Sequence, residues 1–332
     1  MKSVHLVITD LFLPPEFARE VCAGLHLTTL EKILSRGKVE KNQVISLEDT
    51  LCGLFSTRSD TSIAQISAAY DGLGEGGWLR ADPVHLRLQR EQVVLLPEVE
   101  VSTAEALQFC ASLNKHFAAD GLTFFTPDPQ RWYVKQQKSP DIVTVPMSQA
   151  AGRNIHGNLP SGLEYGRWHQ IFNEIQMLLF AHPLNEAREA RGELPVNSVW
   201  FWGNQPVPAQ PQVTYDAVSS DEVLVQMLAR ANDAPFSNWQ PEWSSAGEGV
   251  QLLVWTGLRS ALQRGDLNGW RERLQHFEDH YAAPLWHALR SGKIDKLQLE
   301  VAAGDCLRRF TLTRGSCWAF WRKTRHLADY SV

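Results

Sequence analysis

Asp10 has the residue type and the setting for metal chemistry. It follows the apolar run of residues 4–9, which predicts a buried strand. In an open α/β sheet, ligands gather at the carboxyl ends of strands, so an aspartate at this point can hold a metal ion. The same position also suits an aspartate that caps a helix or lies in a loop, and that alternative stays open.

Ser59 is the second candidate, because it stands at the start of a helix predicted over residues 59–70. A serine there meets free N–H groups and the positive end of the helix dipole, which favour a phosphate and could stabilise a serine alkoxide beside a metal. The adjacent Arg58 adds positive charge. An ordinary N-cap at Ser59 or Thr57 explains the same letters.

Histidines occur in two further settings. His182 precedes Pro183 between two predicted helices, and its helical spacing also fits a hydrogen-bonded core residue. His276 and His280 are four residues apart on a predicted helix, a spacing that can bind a metal, yet they lie off the apolar stripe, as on a solvated face. No P-loop, G-x-G-x-x-G or G-x-S-x-G motif occurs, which removes support for three common nucleotide-binding and hydrolase classes.

Charge limits the partners of the molecule. The formal net charge of the 332-residue chain is −5, so the whole molecule offers no attractive field for nucleic acid or an anionic membrane. The one basic cluster, Arg322, Lys323 and Arg325, is typical of a solvated terminal face. We therefore expect neither nucleic acid nor a membrane as a partner.

Cysteine usage and hydropathy indicate the compartment. The five cysteines are widely spaced and include no C-x-x-C pair, which argues against a disulfide framework or a zinc ribbon. The first apolar run is too short for a signal peptide, and no stretch approaches the roughly 20 apolar residues of a membrane span. These features predict reduced thiols and a cytoplasmic protein.

The elements that must position these residues alternate between strand and helix, which predicts an α/β fold with a mainly parallel sheet, flanking helices and an antiparallel edge. Residues 76–140 read as an inserted α+β subdomain, and residues 1–75 and 141–332 as the core. The predicted strands are residues 4–9, 85–88, 92–96, 122–125, 131–134, 198–202, 213–218, 250–255, 297–301 and 310–313. The predicted helices cover residues 15–22, 27–37, 59–70, 103–117, 168–182 and 221–231, with a further helix capped by Asp266.

Several segments carry a family resemblance. Residues 182–188, HPLNEAR, and 192–203, GELPVNSVWFWG, resemble the H-P-x-N-x-x-R and G-x-x-P-x-N-x-x-W-x-W-G motifs of cofactor-independent phosphoglycerate mutases, especially their archaeal-type branch in the alkaline phosphatase superfamily. Residues 59–72 resemble the nucleophile segment of that family, and residues 159–162 its L-P-x-G. The resemblance covers about residues 4–205 and extends to bacterial relatives described as phosphoglycerate-mutase-like or pathogenicity-regulator-type proteins.

This resemblance implies an alkaline-phosphatase-like fold and a set of site residues. Ser59 would be the phosphoryl-accepting nucleophile, and Asp10 a ligand to one of two divalent metals that activate the serine and hold the phosphate. The substrate-binding positions would be Arg58, Arg131, His182, Asn185 and Arg188.

The sequence departs from the family at its metal ligands. The family requires a D-x-x-x-H pair and a D-H-G strand end, and no aspartate of this chain has a histidine four positions later. We therefore expect a degenerate, non-catalytic or regulatory protein without a metal or other cofactor, in which Asp10 is a remnant. It would bind a phosphorylated or carboxylate small molecule at the N-terminus of the Ser59 helix.

The alternative is a divergent phosphomutase or phosphatase that acts through Ser59. It would use Mn²⁺ or Mg²⁺ and assemble a metal site from unrecognised groups such as His276, His280 or Asp305. Proximity of those groups to Ser59 would distinguish the two hypotheses.

Overall fold

A computed structural model describes residues 2–43, 46–56, 61–207, 214–245, 247–303 and 306–331. The first part of the chain forms β1 (Ser3–Thr9), α1 (Pro15–Cys22), α2 (Thr28–Arg36), β2 (Lys38–Gln43) and α3 (Leu47–Cys52). The middle part forms α4 (Ile63–Tyr70), β3 (Gly77–Gln89), β4 (Gln92–Leu96), α5 (Thr103–His116), β5 (Thr123–Asp128), β6 (Arg131–Gln136), α6 (Met147–Ala150), α7 (Tyr165–Phe180), α8 (Pro183–Ala190) and β7 (Ser198–Trp202).

The last part of the chain contains the remaining strands. It forms β8 (Ala217–Ser220), α9 (Val223–Ala231), β9 (Phe236–Asn238), β10 (Val250–Trp255), α10 (Arg259–Gln263), α11 (Leu267–Phe277), α12 (Ala283–Ser291), β11 (Lys296–Ala303) and β12 (Cys306–Thr313). A π-helical turn over Glu278–Ala282 joins α11 to α12. Within the described ranges, no helix combines the length and the apolar composition needed to cross a bilayer.

The chain divides into two compact units. Unit 1 comprises Met1–Ser56 and Gln210–Val332, and unit 2 comprises Thr57–Ala209. Unit 2 is larger than the insert predicted over residues 76–140. The reason is β7, which pairs antiparallel with β3 and so joins a later segment of the chain to the predicted insert.

The sheet of unit 1 has seven strands in the order β2-β12-β11-β1-β10-β8-β9. β1 runs parallel to both β10 and β11, and β8 and β9 continue the parallel part. β12 and β2 pair antiparallel at one edge. The expected α/β fold, with a mainly parallel central sheet, an antiparallel edge and flanking helices, is confirmed.

The two faces of this sheet differ in character. Side chains alternate along a strand, and Val4, Leu6 and Ile8 of β1 all join the apolar core of unit 1. The stripe predicted on α11 is buried in the same core, from Trp270 onward. The opposite face of the sheet carries polar groups, among them His5.

Glu300 is the centre of that polar face. Its carboxylate is 2% exposed, and it accepts hydrogen bonds from Arg309 Nε at 2.6 Å and Gln298 Nε2 at 3.0 Å. His5 Nε2 lies 3.1 Å from the same oxygen. Burial by itself raises the pKa of Glu300, but the hydrogen bonds and charges of His5 and Arg309 outweigh it and lower the pKa to about 2.

Unit 2 is built on a five-stranded sheet with the order β4-β3-β6-β5 and with β7 on β3. All of its strand pairs are antiparallel. Asp82 of β3 ties three of the strands together. It accepts from Arg80 Nη2 at 2.8 Å, from the Trp132 backbone N–H at 3.2 Å and from Trp202 Nε1 at 2.7 Å. Such a buried carboxylate is stable only because its acceptor sites are filled.

Candidate functional site

Asp10 lies where the sequence predicted it, at the carboxyl end of β1. Its backbone is left-handed, with φ 56°, and its N–H donates to Ala302 O at 3.0 Å. Burial raises the pKa of the Asp10 carboxyl, and the nearby Arg259 acts in the opposite direction. A cation of the protein therefore acts on the Asp10 carboxyl.

Two acidic residues that the sequence did not single out lie at the same edge of the sheet. Asp221 and Glu222 directly follow β8, which is parallel to β10. Asp221 Oδ1 accepts from the Thr256 backbone N–H at 2.7 Å, and Glu222 Oε1 accepts from Leu224 N–H at 3.2 Å and caps α9. Sequence reasoning could have found them from their position directly after a predicted parallel strand.

The carboxylates at this edge have hydrogen-bond partners within the protein. Burial raises the pKa of Glu222, and the positive charge of Arg259 acts in the opposite direction, as it does for Asp10. In the described part of the chain, no group of three or more His, Cys, Asp or Glu side chains could hold a metal ion. Ser59 and Asp305, which the alternative hypothesis requires, lie outside that part. A hard divalent cation needs roughly six oxygen ligands. The described carboxylates at this edge are better suited to accepting hydrogen bonds from the protein.

An aromatic pocket of about 490 Å³ lies in unit 1, at the carboxyl end of β10. Four rings with nearly parallel planes form its apolar part. Trp255 stacks on Phe277 at 4.6 Å between centroids, and Trp239 stacks on Tyr281 at 4.3 Å. The remaining lining residues are Gln240, Pro241, Glu272, Arg273 and His276.

Polar groups stand at the rim of this aromatic pocket. Arg273 is exposed and donates through Nη1 to Gly257 O at 3.0 Å. Tyr281 donates its hydroxyl proton to Gln240 O at 2.6 Å, and burial raises the pKa of Tyr281 to about 12. His276 stacks on His280 at 4.2 Å, and both imidazoles are exposed, as the solvated-face interpretation required.

The predicted anion site at the start of the Ser59 helix stays a prediction, but the helix begins later than expected. The helix α4 begins at Ile63 with Ser62 as its N-cap. Ser62 Oγ accepts from Gln65 N–H at 3.3 Å, Gln65 Oε1 accepts from Ser62 N–H at 2.8 Å, and Ala64 N–H donates to Gly203 O at 2.8 Å. This capping box fills donors that a phosphate would need. Ser59 and Arg58 themselves lie outside the described residues.

Arg131 binds a carboxylate of its own unit. Its Nε and Nη2 donate to the two oxygens of Asp71, each at 2.8 Å. Tyr133 donates its hydroxyl proton to the same carboxylate at 2.5 Å. Although partial burial raises the pKa of Asp71, the hydrogen bonds from Arg131 and Tyr133 outweigh it and lower that pKa. This bidentate pair is a typical strong guanidinium–carboxylate contact.

His182, Asn185 and Arg188 surround the start of α8. His182 is the N-cap and not part of α7, since Leu184 N–H donates to His182 Nδ1 at 3.3 Å. Its Nε2 lies 2.9 Å from Ser112 Oγ. Asn185 is buried and bonds the backbone of Leu179 and Val196.

Among the predicted site residues that the structure describes, Arg188 is the most buried, at 1% exposure. It donates to Leu194 O at 2.9 Å, to Glu100 O at 2.6 Å and to Glu105 Oε2 at 3.1 Å. None of these partners is shared with Arg131. Within unit 2, the motif residues therefore stabilise the local fold, and their role in binding a substrate stays a prediction.

The curated proteins to which this chain is similar in sequence include phosphoglycerate mutases. No protein-family profile matches the chain. A 2,3-bisphosphoglycerate-independent phosphoglycerate mutase from Methanothrix thermoacetophila is 27% identical over 175 residues, 46% of this chain and 45% of that protein. A probable enzyme of the same name from Geobacter sulfurreducens is 27% identical over 109 residues, 32% of this chain and 27% of that protein. The matched segment spans less than half of each relative's own length.

One solved structure shares the fold. The PH0037 protein from Pyrococcus horikoshii aligns with 94% of this chain and 87% of its own, at a TM-score of 0.55 and 12% identity. At that identity the likeness concerns the arrangement of helices and strands.

Proposed function

Because this chain is a distant relative of the cofactor-independent phosphoglycerate mutases, we propose that it uses their fold to bind a small carboxylate or phosphate and does not interconvert phosphoglycerates. The observation that carries the proposal is the aromatic pocket at the carboxyl end of β10, with Arg273 at its rim. The sequence predicted the ligand class but placed the site at Ser59.

Position and size both support a ligand site at the aromatic pocket. Ligands of open α/β sheets bind outside the carboxyl ends of the strands, and this pocket has walls from the segments that follow β9 and β10. Its volume of about 490 Å³ lies within the range of roughly 300–1,000 Å³ that is usual for small-molecule pockets.

The lining residues indicate the ligand's chemistry. The rings of Trp239, Trp255 and Tyr281 offer apolar surface to a flat or hydrophobic body. Arg273 adds an exposed guanidinium, which prefers carboxylates and phosphates. We therefore expect a ligand with an apolar part and one anionic group.

Two features support the absence of mutase chemistry. Two-metal phosphoryl transfer requires ligands on both metals, and the D-x-x-x-H pair that supplies some of them in the family does not occur in this sequence. At the sheet edge, Asp221 and Glu222 accept from backbone N–H groups, and Arg259 supplies positive charge beside Asp10.

Ligand binding should appear as a thermal shift. We expect benzoate, which has an apolar ring and one carboxylate, to raise the melting temperature of the wild-type protein relative to chloride at equal ionic strength, because a ligand bound only to the folded state adds about 2.7 kcal/mol at a hundred times Kd. Arg273→Ala should abolish the shift, and Trp239→Ala should reduce it for benzoate. The measurement is differential scanning fluorimetry over a concentration series.

The matched control for this experiment is Arg19→Ala, an exposed arginine on α1 of the same unit. It should keep the full ligand-induced shift. A shift of equal size in Arg273→Ala, or the lack of any shift in the wild type, would contradict the proposed site.

A direct assay separates the proposal from the enzyme alternative. Purified protein with Mn²⁺ and 3-phosphoglycerate should form no 2-phosphoglycerate above a protein-free blank, and Ser59→Ala should behave identically. A turnover of about 1 per second would be an ordinary rate for an enzyme. If the wild type shows such turnover and Ser59→Ala loses it, the protein is a divergent phosphomutase instead. A phosphatase activity is checked by release of inorganic phosphate in the same samples.

A further inference from the structure

A turn of exposed aromatic and basic side chains follows β12. We call residues 318–325, WAFWRKTR, the aromatic–basic turn. Its three large rings are unusually open to solvent, with exposures of 57% for Trp318, 80% for Phe320 and 71% for Trp321. An exposed cluster of this kind marks an interaction surface more often than chance.

The aromatic–basic turn is held in place by its backbone. Arg36 Nη1 donates to Cys317 O at 2.7 Å, Arg325 N–H donates to Ser35 Oγ at 2.9 Å, and Arg322 Nη1 donates to Gly37 O at 3.1 Å. The end of α2 therefore anchors both sides of the turn. The rings are displayed outward by a fixed scaffold, so little ordering is needed when they bind.

The rings contact one another and a cation. Phe320 and Trp321 meet edge to face at 5.3 Å, and the Arg290 guanidinium lies 5.6 Å from the centroid of Trp318. Neither contact buries the rings. The apolar surface of the turn consequently stays available to an outside partner.

The sequence around the turn is basic, although Glu31 lies at its end, where it accepts from Leu327 N–H at 3.0 Å. Between Cys306 and Ala328 the sequence contains six lysines and arginines and no aspartate or glutamate, although the whole chain is acidic. Lys323 and Arg325 are exposed and follow Trp321 closely in the sequence. The partner of this surface must accept apolar rings and carry negative charge.

We propose that the aromatic–basic turn docks the protein on an anionic lipid surface. Tryptophan and phenylalanine insert at the boundary between headgroups and acyl chains, and adjacent lysines and arginines bind anionic headgroups. A flat lipid surface suits rings that project from a convex turn, and peripheral docking needs no membrane-spanning helix. A nucleic acid is less favoured, because the net charge of −5 gives no long-range attraction to a polyanion. Binding to a lipid surface gains additional free energy from insertion of the rings, and salt does not screen that contribution. This proposal replaces the solvated face expected for Arg322, Lys323 and Arg325, and it departs from the expectation that no membrane is a partner.

Vesicle flotation tests the docking. Phosphatidylcholine vesicles that contain phosphatidylserine should carry the wild-type protein upward, and vesicles of phosphatidylcholine alone should bind at least tenfold less. The triple variant Trp318→Ser, Phe320→Ser, Trp321→Ser and the single variant Phe320→Ser test the rings. The double variant Lys323→Gln, Arg325→Gln tests the charges, and its effect should shrink as sodium chloride is raised.

Matched controls keep the flotation experiment decisive. Phe180→Ser removes a ring of 82% exposure in unit 2, and Arg19→Gln removes an exposed cation of α1 that is not part of residues 318–325; both should float like the wild type. We expect at least a tenfold loss in the triple variant, a smaller loss in Phe320→Ser and unchanged melting temperatures in both. Equal flotation of wild type and triple variant, equal binding to the two vesicle types, or a turn-dependent binding to single-stranded DNA or self-association in place of flotation would overturn the proposal.

Discussion

We expect Arg188→Ala to lower the free energy of unfolding of the protein by about 3 kcal/mol, because each buried acceptor left without a donor costs about 1–3 kcal/mol. Arg188 is 1% exposed, and its removal leaves the Glu100 and Leu194 carbonyls without this donor, while the Glu105 carboxylate keeps Ser102 and Arg191. Urea denaturation followed by circular dichroism measures the change.

The control for Arg188 is Arg153→Ala, an exposed arginine of unit 2 for which we expect a change within about 0.5 kcal/mol. Arg188→Lys should recover only part of the loss, because an ammonium group cannot reach partners in several directions as a guanidinium does. If Arg188 instead serves a substrate, as the family resemblance implies, Arg188→Ala will leave stability intact and weaken ligand binding.

The second large effect is a loss of stability in acid that depends on Glu300. Its pKa in the folded protein is about 2, against a usual value of 4.5. A lowered carboxyl pKa stabilises the fold above the unfolded value, and this contribution of about 3 kcal/mol is lost as the pH falls from about 4.5 to about 2. Denaturant titrations across that pH range measure it.

Glu300→Gln should flatten that part of the pH profile and lower stability at neutral pH, because Arg309 and His5 lose their carboxylate partner. Glu242→Gln, at an exposed position, should keep the wild-type profile. A constant difference between wild type and Glu300→Gln at every pH would show that the carboxylate does not carry the acid sensitivity.

Sequence reasoning located most elements of the fold, because hydrophobic periodicity is a local property. The runs that became β1, β10 and β11 are apolar on at least one face. β2 was missed because Lys38–Gln43 is an edge strand rich in charge, a composition that protects edges but resembles a loop. The start of α4 was misplaced because several polar residues precede it, and only Ser62 forms a capping box with Gln65.

The candidate site was harder to predict, because its residues meet through pairings that are distant in sequence. Asp10 was identified from the end of a strand, but Asp221 becomes its neighbour in the sheet only through β10. The aromatic pocket combines Trp239 with Tyr281, whose spacing carries no signal. Arg188 was predicted to bind a substrate from its place in the family motif, whereas its burial, which assigns its donors to the protein, is not visible in the sequence.

The position of unit 2 within the chain affects the order of folding. β1 pairs with β10 and β11, so during synthesis it has no strand partner until residues beyond 250 have left the ribosome. Unit 2 is one continuous stretch, Thr57–Ala209, and all of its strand pairs lie within that stretch, so they can form before residue 250 is made. Since domains fold largely as units in the order of synthesis, and closing long loops slows folding, unit 2 forms while the apolar strand β1 is still exposed. That interval is when the nascent chain most needs protection by chaperones.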